Sequence, residues 1–193
     1  HGGVSGPHTT SLYNGSSFVP GPKTTGAILD GSAQIFISGG ASGGAFFIVN
    51  GNGMPSTSVY FPSSNSFSPT RMPTSVPNAG SNAFYIEAGS GVIHPGKTMI
   101  IGGASTTETA LFDPIRFEML PGPQLPANAT ADSFNLPLTN GPHGGKVLVF
   151  AGSTYYVYNP VTHQFSTPAS LTWPAAPGTY GAGGVAFKIA GDN

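Results

Sequence analysis

No cysteine occurs among the 193 residues. That excludes disulfides, thiolate metal sites, thiol nucleophiles and iron–sulfur clusters together. Charge is scarce as well. Six Lys+Arg and seven Asp+Glu give a formal net charge of −1 and 7% charged residues, against roughly 25% in an ordinary soluble domain. A nucleic-acid partner needs clustered Lys and Arg to neutralise phosphates, so the composition excludes one. It excludes a disordered polyelectrolyte too. No run approaches the roughly 18 consecutive apolar residues of a membrane span. The chain opens His1-Gly2-Gly3 without Met and without a charged-then-apolar leader, as expected of a processed N-terminus or of a piece of a longer product. What is abundant is glycine, with 29 residues, and proline, with 19, which leaves little room for long helices. The 38% of hydrophobic residues still allow a sizeable core in one domain of this length.

The punctuating residues recur in register. One marker is an aromatic followed by a turn: Leu12-Tyr13-Asn14, Val59-Tyr60-Phe61-Pro62, Leu111-Phe112-Asp113-Pro114 and Val157-Tyr158-Asn159-Pro160. The aromatics step by 47, 52 and 46 residues, and each has a second aromatic soon after, at Phe18, Phe67, Phe117 and Phe165. This spacing predicts four hairpins, each a strand, an Asn/Asp-Pro type turn and a strand. A second marker is a β-branched apolar run ending in small residues: 34–40, 97–103, 146–152 and 185–191. Tight turns precede three of the runs, at Asp30-Gly31, His94-Pro95-Gly96 and His143-Gly144-Gly145, and predict hairpins entering a buried strand.

The copies are circularly phased. The last run stops after its glycine, while the half-repeat that should follow it stands at the start, in Thr9-Thr10-Ser11-Leu12-Tyr13. Joined through the ends, the step from Tyr158 back to Tyr13 is 48, close to the other three. A period of roughly 40–50 residues with about four strands per unit predicts propeller blades. The expected fold is therefore all-β: a four-bladed propeller over residues 1–193, with units 19–67, 68–117, 118–165 and 166–193, the last completed by 1–18. One blade, shared between N- and C-terminal strands, would close the ring.

These motifs resemble kelch-type repeats, in particular those of galactose oxidase-like and glyoxal oxidase-like proteins. The closest copy runs Gly145-Lys146-Val147-Leu148-Val149-Phe150-Ala151-Gly152, with Tyr158-Asn159-Pro160 and Phe165. The resemblance covers essentially the whole chain and implies a kelch-like propeller. It implies no single activity, because kelch propellers carry enzymes, adhesins and scaffolds alike. The copper radical chemistry of that superfamily needs a Tyr cross-linked to a Cys, and a chain without Cys lacks it.

Five histidines and seven carboxylates define the chemical candidates. His94 and His143 occupy the same turn of adjacent units, 49 residues apart, which is explained as a repeated surface turn; His163 falls in a turn and is expected to be solvated. His1 offers an α-amine and an imidazole to copper, with His8 as the nearby second ligand. Glycoside hydrolysis needs two carboxyls about 5–10 Å apart, and Glu87 with Asp132 is the pair nearest the expected axial channel. Trp173, Tyr180, Tyr85 and the Tyr155-Tyr156 pair offer faces on which a sugar could stack, with Asp132 as a polar neighbour. Sequons at Asn14-Gly15-Ser16 and Asn128-Ala129-Thr130 fall at predicted turns, where N-glycosylation is tolerated.

Together these observations lead to a secreted, non-enzymatic extracellular glycoprotein that assembles or adheres through propeller faces and needs no cofactor. The expected partners are further copies of the chain, or extracellular glycans and proteins. A lectin-like binder is the alternative, and a glycan-active enzyme or a His1 copper oxidase a third reading.

Overall fold

Segments such as Thr98-Met99-Ile100-Ile101 and Thr109-Ala110-Leu111-Phe112-Asp113 combine β-branched and aromatic side chains with no helix-favouring face. Such residues fit a pleated surface covered on both sides. The computed structural model describes residues 10–24, 32–37, 44–49, 57–68, 82–102, 106–116, 118–129, 134–139, 144–151 and 154–170, and among these the chain is all strand and turn.

A hairpin of β1 (Ser11–Tyr13) and β2 (Phe18–Pro20) comes first. Three antiparallel meanders follow, each with its strands in chain order. The first sheet contains β3 (Ala33–Ile37), β4 (Ala45–Val49), β5 (Thr57–Phe61) and β6 (Ser66–Phe67). The second contains β7 (Asn82–Tyr85), β8 (Thr98–Ile101), β9 (Thr109–Asp113) and β10 (Glu118–Pro121). The third contains β11 (Phe134–Pro137), β12 (Val147–Ala151), β13 (Thr154–Asn159) and β14 (Gln164–Phe165), and β15 (Ala169–Ser170) also pairs with β13.

Register gives the repeat its physical content. Tyr13 pairs with Phe18, Tyr60 with Phe67 and Tyr158 with Phe165 across their hairpins. The three ring pairs are nearly superimposable, with centroids 5.3, 5.1 and 5.2 Å apart and planes inclined by 48°, 42° and 49°. In the second sheet Phe112 pairs with Met119 rather than with the expected Phe117, whose side chain lies outside the described residues. Strand alternation sends the residue before each aromatic to the opposite face. Hence Val59 points toward the second sheet and Leu111 toward the third, while Phe112 and Tyr158 point back toward the sheet before them.

Among the described residues two cores result, one between the first and second sheets and one between the second and third. Phe112 stacks on Phe47 at 4.3 Å amid Ile37, Val49, Val59, Ala83, Ile100 and Ala110. Tyr158 packs on Phe84 at 5.5 Å amid Met99, Ile101, Leu111, Val147, Val149 and Tyr156. The second sheet is consequently buried on both faces, with β8 and β9 covered along their whole length. The leading strands lie side by side: β7 neighbours both β3 and β11, and Asn135 Nδ2 on β11 donates to Asn82 Oδ1 and to the Ala83 carbonyl on β7.

Hydrogen bonds add a longer period. Thr10 Oγ1 donates to the Pro22 carbonyl and Thr109 Oγ1 to the Pro123 carbonyl, at 2.7 and 2.6 Å. Each threonine packs under the glycine of a Pro-Gly-Pro run, Gly21 or Gly122, where a Cβ would lie 2.3 or 2.2 Å from the hydroxyl. In the other two units a serine closes the hairpin instead: Ser68 Oγ accepts from the Val59 amide and Ser166 Oγ from the Val157 amide. Equivalent atoms are thus about two units apart (Thr10 to Thr109, Ser68 to Ser166), so like units alternate.

The register corrects one expectation. The apolar runs at 97–103 and 146–152 contain second strands, β8 and β12, but the run at 34–40 contains the first strand β3; its true counterpart is β4, Ala45–Val49. Both strands flanking this Gly-rich loop are largely apolar in sequence, although Gln34 and Phe36 of β3 are exposed, so an apolar run followed by glycine does not say which of the two it is. The unit limits move as well, since β10 completes the second sheet and β15 joins the third. Residues 1–9 and 171–193, which carry most of the expected shared blade, lie outside the described residues.

A closing glycine is common to all three sheets. Gly44, Gly96 and Gly145 precede the second strands with φ of 81°, 80° and 79°. Their amides donate to the carbonyls of Ile37, Ile86 and Leu138 at 2.8, 2.9 and 2.7 Å. Left-handed backbone penalises a Cβ. Gly145→Ala, where the added methyl meets no neighbour, is therefore expected to cost about 1–2 kcal/mol from backbone strain alone, measurable by urea unfolding. An unchanged midpoint would show that the turn relaxes.

Candidate functional site

Among the described residues, two places gather chemistry-bearing side chains. The first is the junction of the second and third sheets. Here the β7–β8 connection, residues 86–97, meets the β13–β14 turn. Two glycines, Gly91 and Gly96, have positive φ and bend the connection back on itself. In the turn, Asn159 Oδ1 accepts from the Val161 amide at 3.0 Å, and His163 adopts φ 54°. The Ile93 amide then donates to the Pro160 carbonyl at 3.2 Å, and the His94 and His163 rings meet edge to face at 4.5 Å. His163 Nδ1 shares a 2.8 Å hydrogen bond with the Tyr158 hydroxyl.

Electrostatics at this junction favour uncharged rings. Burial, then the Lys97 charge, lowers the His94 pKa below its ordinary 6.5; burial, then His94, lowers that of His163. Burial pushes the Tyr158 phenol up to about 12, so it is protonated at neutral pH. Lys97 is ion-paired with Asp113 on β9. Burial works to raise the Asp113 pKa, but hydrogen bonds from Lys97 and from the Arg116 and Ile115 amides outweigh it and hold the carboxyl below its ordinary 3.8.

Beside the junction lies a cleft of about 250 Å³ lined by Tyr85, Glu87, Thr139, Lys146, Tyr158 and Pro160 among others. Its walls mix apolar surface with one carboxylate and one ammonium. That suits a small polar ligand with a flat apolar side.

The second place is the hairpin β1–β2. Its Leu12 side faces the outer surface of the first sheet across a gap of about 670 Å³, which is lined also by Phe46, Ile48, Tyr60 and Phe67. Tyr13, which also borders this gap, and its partner Phe18 are 62% and 75% exposed. Tyr158, at the corresponding position of the third sheet, is 1% exposed. No family model and no curated protein matches the chain.

Of the residues singled out in the sequence, Tyr85 lines the cleft and Glu87 stands exposed at its rim. Trp173, Tyr180, Asp132, His1, His8 and His143 lie outside the described residues. Among the described residues no three His, Cys, Asp or Glu side chains cluster as metal ligands, and no helix is long and apolar enough to cross a membrane. Asn14 and Asn128 are both exposed. Asn14 Oδ1 accepts from the Ser16 and Ser17 amides at 3.0 and 2.9 Å and from the Ser16 hydroxyl at 3.1 Å, an Asx turn that brings the two polar side chains of the sequon together.

His163 is half-buried against His94 rather than solvated, which composition and spacing did not reveal. A signal was present, however. His163 follows Tyr158 by five residues, as Asn65 follows Tyr60, and Asn65 has φ 47° and hydrogen-bonds the Tyr60 hydroxyl at 2.9 Å. The tyrosine of the repeat therefore selects a turn residue that tolerates left-handed backbone and carries a ring or amide partner for its hydroxyl.

Proposed function

We propose that the chain is a secreted, non-enzymatic structural glycoprotein. In this reading its four alternating units form a kelch-like four-bladed propeller, and the shared blade couples neighbouring copies. The observation that carries the reading is the exposed Tyr13–Phe18 pair. In the third sheet the same pair is seated on the sheet before it, through Tyr158 on Phe84. The register equates Phe47, Met99 and Leu148, so the seat matching Tyr13 is the far face of the third sheet, formed by Leu136, Leu148, Phe150 and Val157. In a closed ring that face belongs to the same chain; exchange of the hairpin between copies would seat the pair on a neighbour's third sheet instead, by a contact that is head-to-tail and therefore propagates or closes into a ring. Low charge supports the reading, because little self-repulsion opposes stacking.

Light scattering of the native protein tests this. The wild type is expected to grow in mass with concentration, and Tyr13→Ser/Phe18→Ser to stay monomeric with unchanged circular dichroism. A wild type that is monomeric throughout would refute coupling. Hexose mass that disappears in Asn14→Gln/Asn128→Gln would support a glycoprotein, whereas an unmodified chain purified from a eukaryotic secretory host would count against it. One observation favours a second reading, carbohydrate binding: the cleft pairs an aromatic wall, Tyr85, with Glu87, Thr139 and Lys146, and a glycan array with Tyr85→Ala as control tests it.

A further inference from the structure

We propose that His94 and His163 form an acid-sensitive clasp between the second and third sheets, closed while both rings are neutral and released when both are protonated. The clasp has three strands of contact at one spot: the imidazole edge-to-face contact, the Ile93–Pro160 backbone hydrogen bond, and the packing of Val161 over Gly91, where a Cβ would lie 3.5 Å from a Val161 methyl. It joins a long connection of one sheet to the hairpin turn of the next, so opening it needs no strand to break.

Protonation acts directly on the ring contact and on the His163–Tyr158 hydrogen bond; the backbone bond and the Val161 packing give way only as the rings part. Two imidazolium rings with centroids 4.5 Å apart repel. A protonated Nδ1 on His163 can no longer accept from Tyr158, so the bond must reverse, the imidazolium donating to the phenol oxygen while the phenol, which keeps its proton, turns that proton away to another acceptor. The surrounding charges do not compensate. Lys97, on the same connection as His94, adds a like charge and is already paired with Asp113 of β9; Tyr158 of β13 is neutral; the adjoining cleft carries one carboxylate, Glu87, and one ammonium, Lys146. Both histidine pKa values are lowered in the folded state. The unfolded chain therefore binds more protons just below pH 6.5, and the stabilisation present above that value is lost as pH falls through the folded pKa values. Acidification would widen the cleft's rim, since Tyr158 and Pro160 belong to both.

The clasp does not depend on association through the hairpin, and its test can be run on a monomeric sample. Amide hydrogen exchange of Ile93 is measured at about pH 7.5 and about pH 5, each corrected for intrinsic exchange, and the protection factor is expected to fall at least about tenfold on acidification. His94→Phe/His163→Asn keeps an aromatic edge and a residue at home at positive φ, and is expected to hold its protection across the same range. Unchanged protection in the wild type, or an equal fall in the double variant, would overturn the clasp. Proton NMR of the wild type supplies a check independent of the variants: both imidazoles are expected to titrate below 6.5, the second more acidic than the first, and titration of both at or above 6.5 would overturn it as well.

Discussion

Alanine at Phe112 is expected to lower the unfolding free energy by about 4 kcal/mol, within the range for emptying a buried aromatic site. Alanine at Tyr13, the corresponding position of the hairpin, is expected to lower it by less than about 1 kcal/mol at dilutions where the chain is monomeric. Phe112 is fully buried between the first two sheets, stacked on Phe47 with planes 22° apart, and Ile37, Val49 and Val59 form the rest of its seat. Removing the ring leaves a void that β-sheet walls on both sides cannot close, because interiors are packed to crystal density. Tyr13 gives up little by comparison, being 62% exposed with its hydroxyl hydrogen-bonded locally to the Gly15 carbonyl. Urea unfolding of the two variants measures the difference. Equal effects would mean that the repeated aromatic does not gain its worth from the sheet beneath it.

Asp113→Ala is the second large effect, expected at about 3 kcal/mol near neutral pH, as for breaking an ion pair that is mostly removed from solvent. The carboxylate has two tasks. It pairs with Lys97 of β8's approach, and its Oδ1 accepts from the Ile115 and Arg116 amides at 2.9 and 3.1 Å, which fixes the β9–β10 turn. Its alanine variant leaves those amides and a half-buried ammonium without their acceptor. The folded-state pKa lies below 3.8, so the carboxylate's contribution is complete above 3.8 and is lost as pH falls through the lower, folded value. The gap between wild type and variant should therefore shrink in acid below 3.8. Asp113→Asn is expected to recover the turn and not the ion pair, as Asn159 does at the same place in the third sheet. A gap that stays constant into acid would remove the charge from the explanation.

Both effects fall on residues whose part in the fold could be read in the sequence. Tyr13, Tyr60, Phe112 and Tyr158 recur at a period that only a repeated unit explains, and each heads a hairpin as the aromatic-turn pattern predicts. Alternation along a strand then fixes which neighbour each faces. The apolar runs misled at residues 34–40, because a first strand and a second strand flanking the same kind of glycine loop are equally apolar; hydrogen-bond register distinguishes them and hydropathy does not. The alternation of unit types was hidden for another reason. It resides in single hydroxyls, Thr10 and Thr109 beneath Pro-Gly-Pro, Ser68 and Ser166 at hairpin ends, and a serine or threonine announces no partner in a chain so rich in both. The clasp was least legible. His94 and His163 are far apart in sequence and lie in different units, and what joins them is a backbone hydrogen bond between loops.

The chain's lack of cysteine makes the coupling of copies directly measurable, since introduced thiols have no background. Tyr13→Cys protein and Leu148→Cys protein, mixed and treated with a short bismaleimide, are expected to give a covalent heterodimer in preference to either homodimer, because the repeat places Leu148 beneath Tyr13 as Phe47 lies beneath Phe112. Cross-linking confined to a chain that carries both cysteines, or absent altogether, would contradict assembly through the shared blade.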